Sequence, residues 1–134
     1  MASKNVYLNW DSQSRFTVHD RDGHQLPING EGRISASDML SMSLIGCSSH
    51  DVVEILGKQR QELNQLKVTA ESVQDDDPPW KFRKIHIHYQ AIGKGLNPEK
   101  VKNAILLSRE KYCSVYVTLK DVIEITYDVE VTEG

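Results

Sequence analysis

The sequence predicts an α+β domain in which strands come in groups rather than in regular alternation with helices. The prediction rests on period-two apolar patterns near both ends of the chain, a long apolar helical run near its centre, and a second helix announced by Asn97-Pro98-Glu99. A chain of 134 residues is long enough to bury a core of its own, so residues 1–134 are expected to form a single domain.

The first strands fall within residues 4–28. Val6, Leu8 and Trp10 share one face of VYLNW, Phe16 and Val18 share one face of RFTVH, and Asp22-Gly23 before QLPI is a dipeptide favoured by tight hairpin turns. An antiparallel meander is expected, followed by a flexible NGEGR segment. Ser35-Ala36-Ser37-Asp38 then has the spacing of a capping box, with Ser35 accepting from the amide three residues on and Asp38 reaching back.

A helix is predicted from 39 to about 61. Its first half, with Met39, Leu40, Met42, Leu44 and Ile45, is apolar around most of the circumference and calls for cover on every side, from the rest of the domain or from a partner chain. Its second half, from Lys58 through Gln59, Arg60 and Gln61 to Glu62, is polar.

Two strands follow. Leu66, Val68 and Ala70 share one face of LKVTA; in FRKIHIHYQAIG, Ile85, Ile87 and Tyr89 point inward and Lys84, His86 and His88 outward. Pro78 and Pro79 interrupt the ladder between them. Asn97 as N-cap and Pro98 at the first helical position start a second helix, which runs through Val101, Ile105 and Ser108 to about residue 112 and ends beside Cys113. The last strand alternates Ile123, Ile125, Tyr127, Val129 and Val131 with Glu124, Thr126, Asp128 and Glu130.

Composition narrows the function classes. A net charge of -3 gives no broad cationic field for phosphate backbones, which argues against nucleic acid as a partner. No stretch approaches the length of a membrane span, and MASKNVYLNWDSQSRF lacks the apolar core of a secretory signal, so an intracellular, cytoplasmic protein without a membrane partner is expected. A reducing cytosol disfavours a static disulfide between Cys47 and Cys113.

The stretch LIGCSSHDVVEIL, residues 44–56, carries the candidate chemistry. Buried cysteines are mostly inert packing, yet Ser43, His50 and Asp51 share the helix face of Cys47 and draw a polar strip through an apolar segment. An unperturbed thiol is only a few per cent thiolate at neutral pH, so reactivity requires donors or a cation, from His50 or from an arginine elsewhere in the fold. Cys47 and His50 also have the C-x-x-H spacing that can hold zinc, with His86 and His88 as further ligands. Because those two share the outward face of Lys84, they read more simply as solvated positions. His19 and His24 flank the Asp22-Gly23 turn and read as hairpin surface. A Gly-rich phosphate loop, a G-x-S-x-G elbow and a C-x-x-C motif are absent, and DDDPP reads as a solvated turn.

Two segments resemble a known superfamily. GRISASDMLSMSLIGCSSHDVVEIL resembles the central helix of OsmC/Ohr proteins (osmotically inducible protein C-like, organic hydroperoxide resistance-like), where S-P-x-E-L-L-x-A-x-x-G-C precedes an apolar helix end. NPEKVKNAILLSREKYCSVYVTL resembles their later helix, which ends in a K-Y-C-P-V type motif. The likeness covers essentially the whole chain, and the form from Gly46 to Val53 looks closest to the OsmC-like branch.

The resemblance implies an OsmC-like fold in an intertwined homodimer with active sites at the subunit interface. It implies a peroxidase without metal or cofactor that reduces organic hydroperoxides. Cys47 would be the peroxidatic thiol and Cys113 its disulfide partner, restored by a dithiol reductant of lipoyl or other type. The superfamily also uses an arginine from the N-terminal strands, for which Arg15 is the first choice and Arg33 the second. The family's helix-start proline is Ala36 here, and its glutamate is replaced by Ser37 or Asp38, of which Asp38 keeps the carboxylate; Ser114 stands where proline is common. The alternative is a dimer that binds a small hydrophobic or thiol-reactive ligand in the same apolar pocket, with the cysteines as sensors.

Overall fold

In the computed structural model, which describes residues 1–13 and 15–134, the chain divides into two compact units, Met1–Leu40 and Ser41–Gly134. In the first unit, β1 (Tyr7–Asp11), β2 (Arg15–His19) and β3 (Gln25–Ile28) form an antiparallel meander in that order, with Trp10 opposite Phe16 and Val18 opposite Leu26. The β2–β3 turn is organised by Asp20, whose Oδ1 accepts from the amides of Asp22 (2.9 Å) and His24 (2.8 Å), while Gly23 takes φ +87°. Pro27 lies on the edge strand β3, opposite Thr17, where a missing amide is tolerated. Val6, Tyr7, Leu8 and Trp10 are exposed.

His19 departs from the hairpin-surface reading. The register places it opposite Tyr7, the two rings stack with centroids 4.3 Å apart, and His19 is only 9% exposed.

Helix α1 spans Asp38–Lys58. The capping box expected at its start is replaced by successive tight turns. The Asp38 amide donates to the Ser35 carbonyl (3.1 Å), those of Met39 and Leu40 donate to Ala36 and Ser37, and the Ser35 hydroxyl meets Ser37 Oγ. The helix stops short of residue 61 because Arg60 takes φ +57°. Gln61 N–H then donates to the Leu56 carbonyl and Arg60 N–H to that of Gly57, which is a Schellman closure.

The second unit is built on a mixed sheet ordered β4-β5-β6, with β4 (Glu62–Gln74) antiparallel and β6 (Glu124–Glu133) parallel to the central β5 (Phe82–Lys94). Ile85, Ile87, Tyr89 and Ala91 of β5 are buried, as are Leu44, Ser48, Val52 and Leu56, which recur every fourth residue along α1 and mark its inward stripe. Met42 and Val53 on the same helix are exposed among the described residues, so the cover on every side that the sequence calls for is incomplete there. Gly93 on β5 is required by close approach, since a Cβ there would collide with the Glu62 carbonyl oxygen.

A parallel β5–β6 pair needs a long crossover. It consists of α2 (Pro98–Leu107), a π-helical turn (Ser108–Tyr112) and α3 (Ser114–Leu119). The expected cap of α2 is present, with Asn97 Oδ1 accepting from the Glu99 amide at 3.0 Å and Pro98 at the first position. Helix α3 is not legible in SVYVTL, where Val115, Val117 and Thr118 carry β-branched side chains that favour a strand. It starts because Cys113 takes an extended backbone and its sulfur accepts from the Tyr116 amide at 3.3 Å, as a serine cap would. Among the described residues, no helix is long and apolar enough to cross a membrane.

Candidate functional site

Cys47 and Asp51 are one helical turn apart on α1, so both side chains project from the same face. Next to that face, Ser48 hydrogen-bonds the buried Tyr89 hydroxyl of β5. Opposite, the crossover widens into its π turn, where the Cys113 amide donates to the Ser108 carbonyl at 2.7 Å. Ser108 and Cys113 are thereby both presented to α1. Ser108 Oγ donates to Asp51 Oδ2 at 2.7 Å, and the Cys47 sulfur, an Asp51 carboxylate oxygen and the Cys113 sulfur all lie within 4.8 Å of one another.

Both cysteines are free thiols in unlike surroundings. Cys47 is half-buried, whereas Cys113 is 2% exposed. Burial, reinforced by contact with Cys47 and by the charge of Asp51, pushes the Cys113 thiol up to about 11 against the opposing pull of the Tyr116 amide. Cys113 therefore keeps its proton at neutral pH.

An aromatic and cationic cluster flanks Cys113. The Arg109 guanidinium stands 4.4 Å from the Tyr116 ring centroid and 5.0 Å from that of Tyr127, and donates to the Ile125 carbonyl at 2.7 Å. Tyr127 meets Tyr89 edge-on at 6.2 Å. The Tyr89 hydroxyl is raised by burial, with Ser48 and Arg109 pulling the other way. Two cavities lie nearby, the larger reaching Asp51 and the smaller Cys113. One, of about 470 Å³, is lined by His50, Asp51, Glu54, Lys58, Leu107 and Tyr112; the other, of about 270 Å³, is lined by Arg109, Tyr112, Cys113, Ser114 and Val117.

Of the residues singled out from sequence, Cys47 and Cys113 are brought together. Arg15, on β2, is engaged with Asp11 at 2.6 Å, both side chains being about half exposed. Asp38 is exposed in the first turn of α1, and Cys47 follows about two and a half turns later along the helix. Arg33 has a buried Nη1 without a hydrogen-bond partner among the described residues. The zinc constellation of Cys47, His50, His86 and His88 is not formed, because His86 and His88 lie on the sheet face opposite to Tyr89. There they bond the two oxygens of Asp128 at 2.6 and 2.8 Å and hold its carboxyl below the usual carboxylate range.

Sequence reasoning missed Arg109 and the role of Ser108. Nothing in the spacing separates Arg109 from Lys111. Ser108 did carry a signal, since it continues the apolar face of Val101 and Ile105, and a hydroxyl buried on such a face needs a partner.

Known proteins share this arrangement of elements. Residues 29–128 match the family described as OsmC-like protein. The protein YhfA of Escherichia coli K12 is 34% identical over 127 residues, which cover 92% of this chain and 95% of YhfA. Among solved structures, a hypothetical protein from Aquifex aeolicus VF5 superposes with a TM-score of 0.89 at 29% identity, covering 100% of this chain and 99% of that one. A Legionella pneumophila protein described as an organic hydroperoxide resistance protein OsmC superposes at 0.68 with 16% identity over 98% of each chain, which is a likeness of fold. With a family match across most of its length and a relative this similar, the chain belongs to the OsmC-like branch of the OsmC/Ohr superfamily.

Proposed function

We propose that this protein is a cofactor-free, cysteine-dependent peroxidase that reduces organic hydroperoxides. The observation that carries the reading is the meeting of two free thiols, one from α1 and one from the crossover before β6, with a carboxylate within 4.8 Å of both. Family membership and the hydroperoxide-resistance description of the Legionella relative support it.

In this mechanism the half-buried Cys47 is the nucleophile. The Cys47 thiol gives up its proton, the thiolate attacks the distal oxygen of the hydroperoxide and the O–O bond breaks; the leaving alkoxide takes up that proton and departs as the alcohol, and Cys47 becomes a sulfenic acid. The Cys113 sulfur then attacks the sulfenic sulfur, the S–S bond forms, the S–O bond breaks, and the hydroxyl departs as water with the Cys113 proton. Because Cys113 holds that proton tightly, the step needs an acceptor, and Asp51 is the carboxylate in reach. A dithiol reductant restores both thiols by exchange.

Arg15 and Asp38 are the nominated activating pair for Cys47. Arg33 is the second choice for the cationic role. A homodimer fits the exposed Met42 and Val53 of α1 and the exposed Leu8 and Trp10 of β1, which a second copy would cover.

The test is to treat the reduced protein with one equivalent of tert-butyl hydroperoxide and follow thiol content and intact mass. Loss of both thiols with a decrease of about 2 Da, the mass of two hydrogen atoms, is the expected result. Should Cys47 stay reduced while a hydrophobic probe occupies the 470 Å³ cavity, the ligand-binding alternative holds instead.

A further inference from the structure

Asp51 poses a problem of charge. It is a half-buried carboxylate whose hydrogen-bond partner is the neutral Ser108 hydroxyl, and among the described residues no lysine, arginine or histidine forms an ion pair with it. The Cys113 sulfur, its neighbour, accepts an amide hydrogen bond from Tyr116. A carboxylate without a counter-ion beside two thiols is a costly arrangement for the empty protein and a natural one for a cation.

We infer that Cys47, Asp51 and Cys113 form a three-ligand site for a thiophilic divalent cation of the Zn²⁺ type, with the fourth position open to water. A tetrahedral zinc with Zn–S of about 2.3 Å and Zn–O of about 2.0–2.2 Å keeps its donors roughly 3.5–3.8 Å apart. The three donor atoms here already lie within 4.8 Å of one another, so small rotamer adjustments suffice. Two thiolates select zinc-like ions over magnesium or calcium. Two of the ligands are oriented from behind, Asp51 by Ser108 Oγ and Cys113 by the Tyr116 amide, which is the outer-shell support that metal sites use.

The consequence is competition. A bound cation and a Cys47–Cys113 disulfide use the same sulfur electron pairs, so the loaded protein is held reduced and resists oxidation until the ion is withdrawn. The site uses the thiols of the peroxidase reading and none of its chemistry, so the two can fail separately.

The experiment is an anaerobic titration of the metal-free, reduced full chain with Co²⁺, read by absorption. The expected result is a thiolate-to-cobalt charge-transfer band saturating at one ion per chain, weakened at least about 10-fold in affinity by Asp51→Asn and about 10-fold by Ser108→Ala, with circular dichroism unchanged. The band should be missing after oxidation to the disulfide. A spectrum of oxygen and nitrogen ligands alone would assign the ion to the exposed Asp20, Asp22 and His24 cluster and overturn the proposal, as would a band indifferent to Asp51→Asn. A second measurement needs no variant: one equivalent of Zn²⁺, but not Mg²⁺, should protect the half-buried Cys47 of the wild-type chain from iodoacetamide, and an unprotected Cys47 would equally overturn it. Peroxide is absent throughout, and peroxidase activity is measured separately with a chelator present.

Discussion

The two thiols meet, but the regions that deliver them are built differently. Cys47 sits in the middle of α1, whose inward stripe of Leu44, Ser48, Val52 and Leu56 is regular for its whole length. Cys113 sits where a helix fails and restarts, between a π turn and α3, with its own sulfur as the cap. The regular element leaves its thiol half-buried and approachable; the broken one encloses its thiol and keeps it protonated. Under the proposed mechanism the difference implies an order of events: the accessible sulfur would react first, and the enclosed one would answer only when its partner has been oxidised.

The largest expected effect tests that order. Cys47→Ser should abolish hydroperoxide consumption to the level of free thiol, whereas Cys113→Ser should consume one equivalent per chain and stop at a sulfenic acid that a 1,3-diketone traps. Equal first turnovers in both variants would erase the distinction between the regions. Next in size, Asp51→Asn should slow disulfide formation by about 10²-fold or more, the range of a lost general acid–base group, while sulfenic acid still forms. Rapid-quench mass spectrometry separates the two steps, and an unchanged second step would remove Asp51 from the mechanism.

The pH dependence is a third and smaller handle. Burial and Asp51 both disfavour the Cys113 thiolate, so in Cys47→Ser the rate of Cys113 alkylation should go on climbing with pH beyond the ordinary value of 9.0. Asp51→Asn should move that profile to lower pH, because it removes a negative charge. The sign for stability follows. The protonated thiol is favoured in the fold, so its contribution is complete below its ordinary value of 9.0 and is lost as pH rises through about 11. Urea midpoints measured across that window should fall toward the alkaline end by more in wild type than in Cys113→Ser.

The same contrast explains what the sequence could and could not foretell. Periodicity located α1, β5 and β6 because each is regular and packs one face inward, and Asn97-Pro98-Glu99 located α2 because that cap is local chemistry. The approach of Cys113 to Cys47 was foreshadowed by family resemblance and not by spacing, since contact across the fold has no period. Helix α3 was hidden because its residues favour strands and its cap is a sulfur. His19 was misread as surface because its burial depends on the cross-strand partner Tyr7. The parallel pairing of β5 with β6 likewise depends on the whole crossover, which no short segment encodes.

The smallest prediction concerns that cap. Serine is a better N-cap than cysteine and keeps an acceptor for the Tyr116 amide, whereas alanine leaves that amide without its partner at the first turn of α3. Cys113→Ala should therefore be less stable than Cys113→Ser by about 1 kcal/mol in urea unfolding, the usual worth of a helix cap. Neither variant retains the thiol, so the difference between them isolates the structural part of the residue from its redox part. If the two unfold together, the sulfur does not hold α3 in place, and the enclosure of Cys113 does not depend on its capping of the broken helix that presents it.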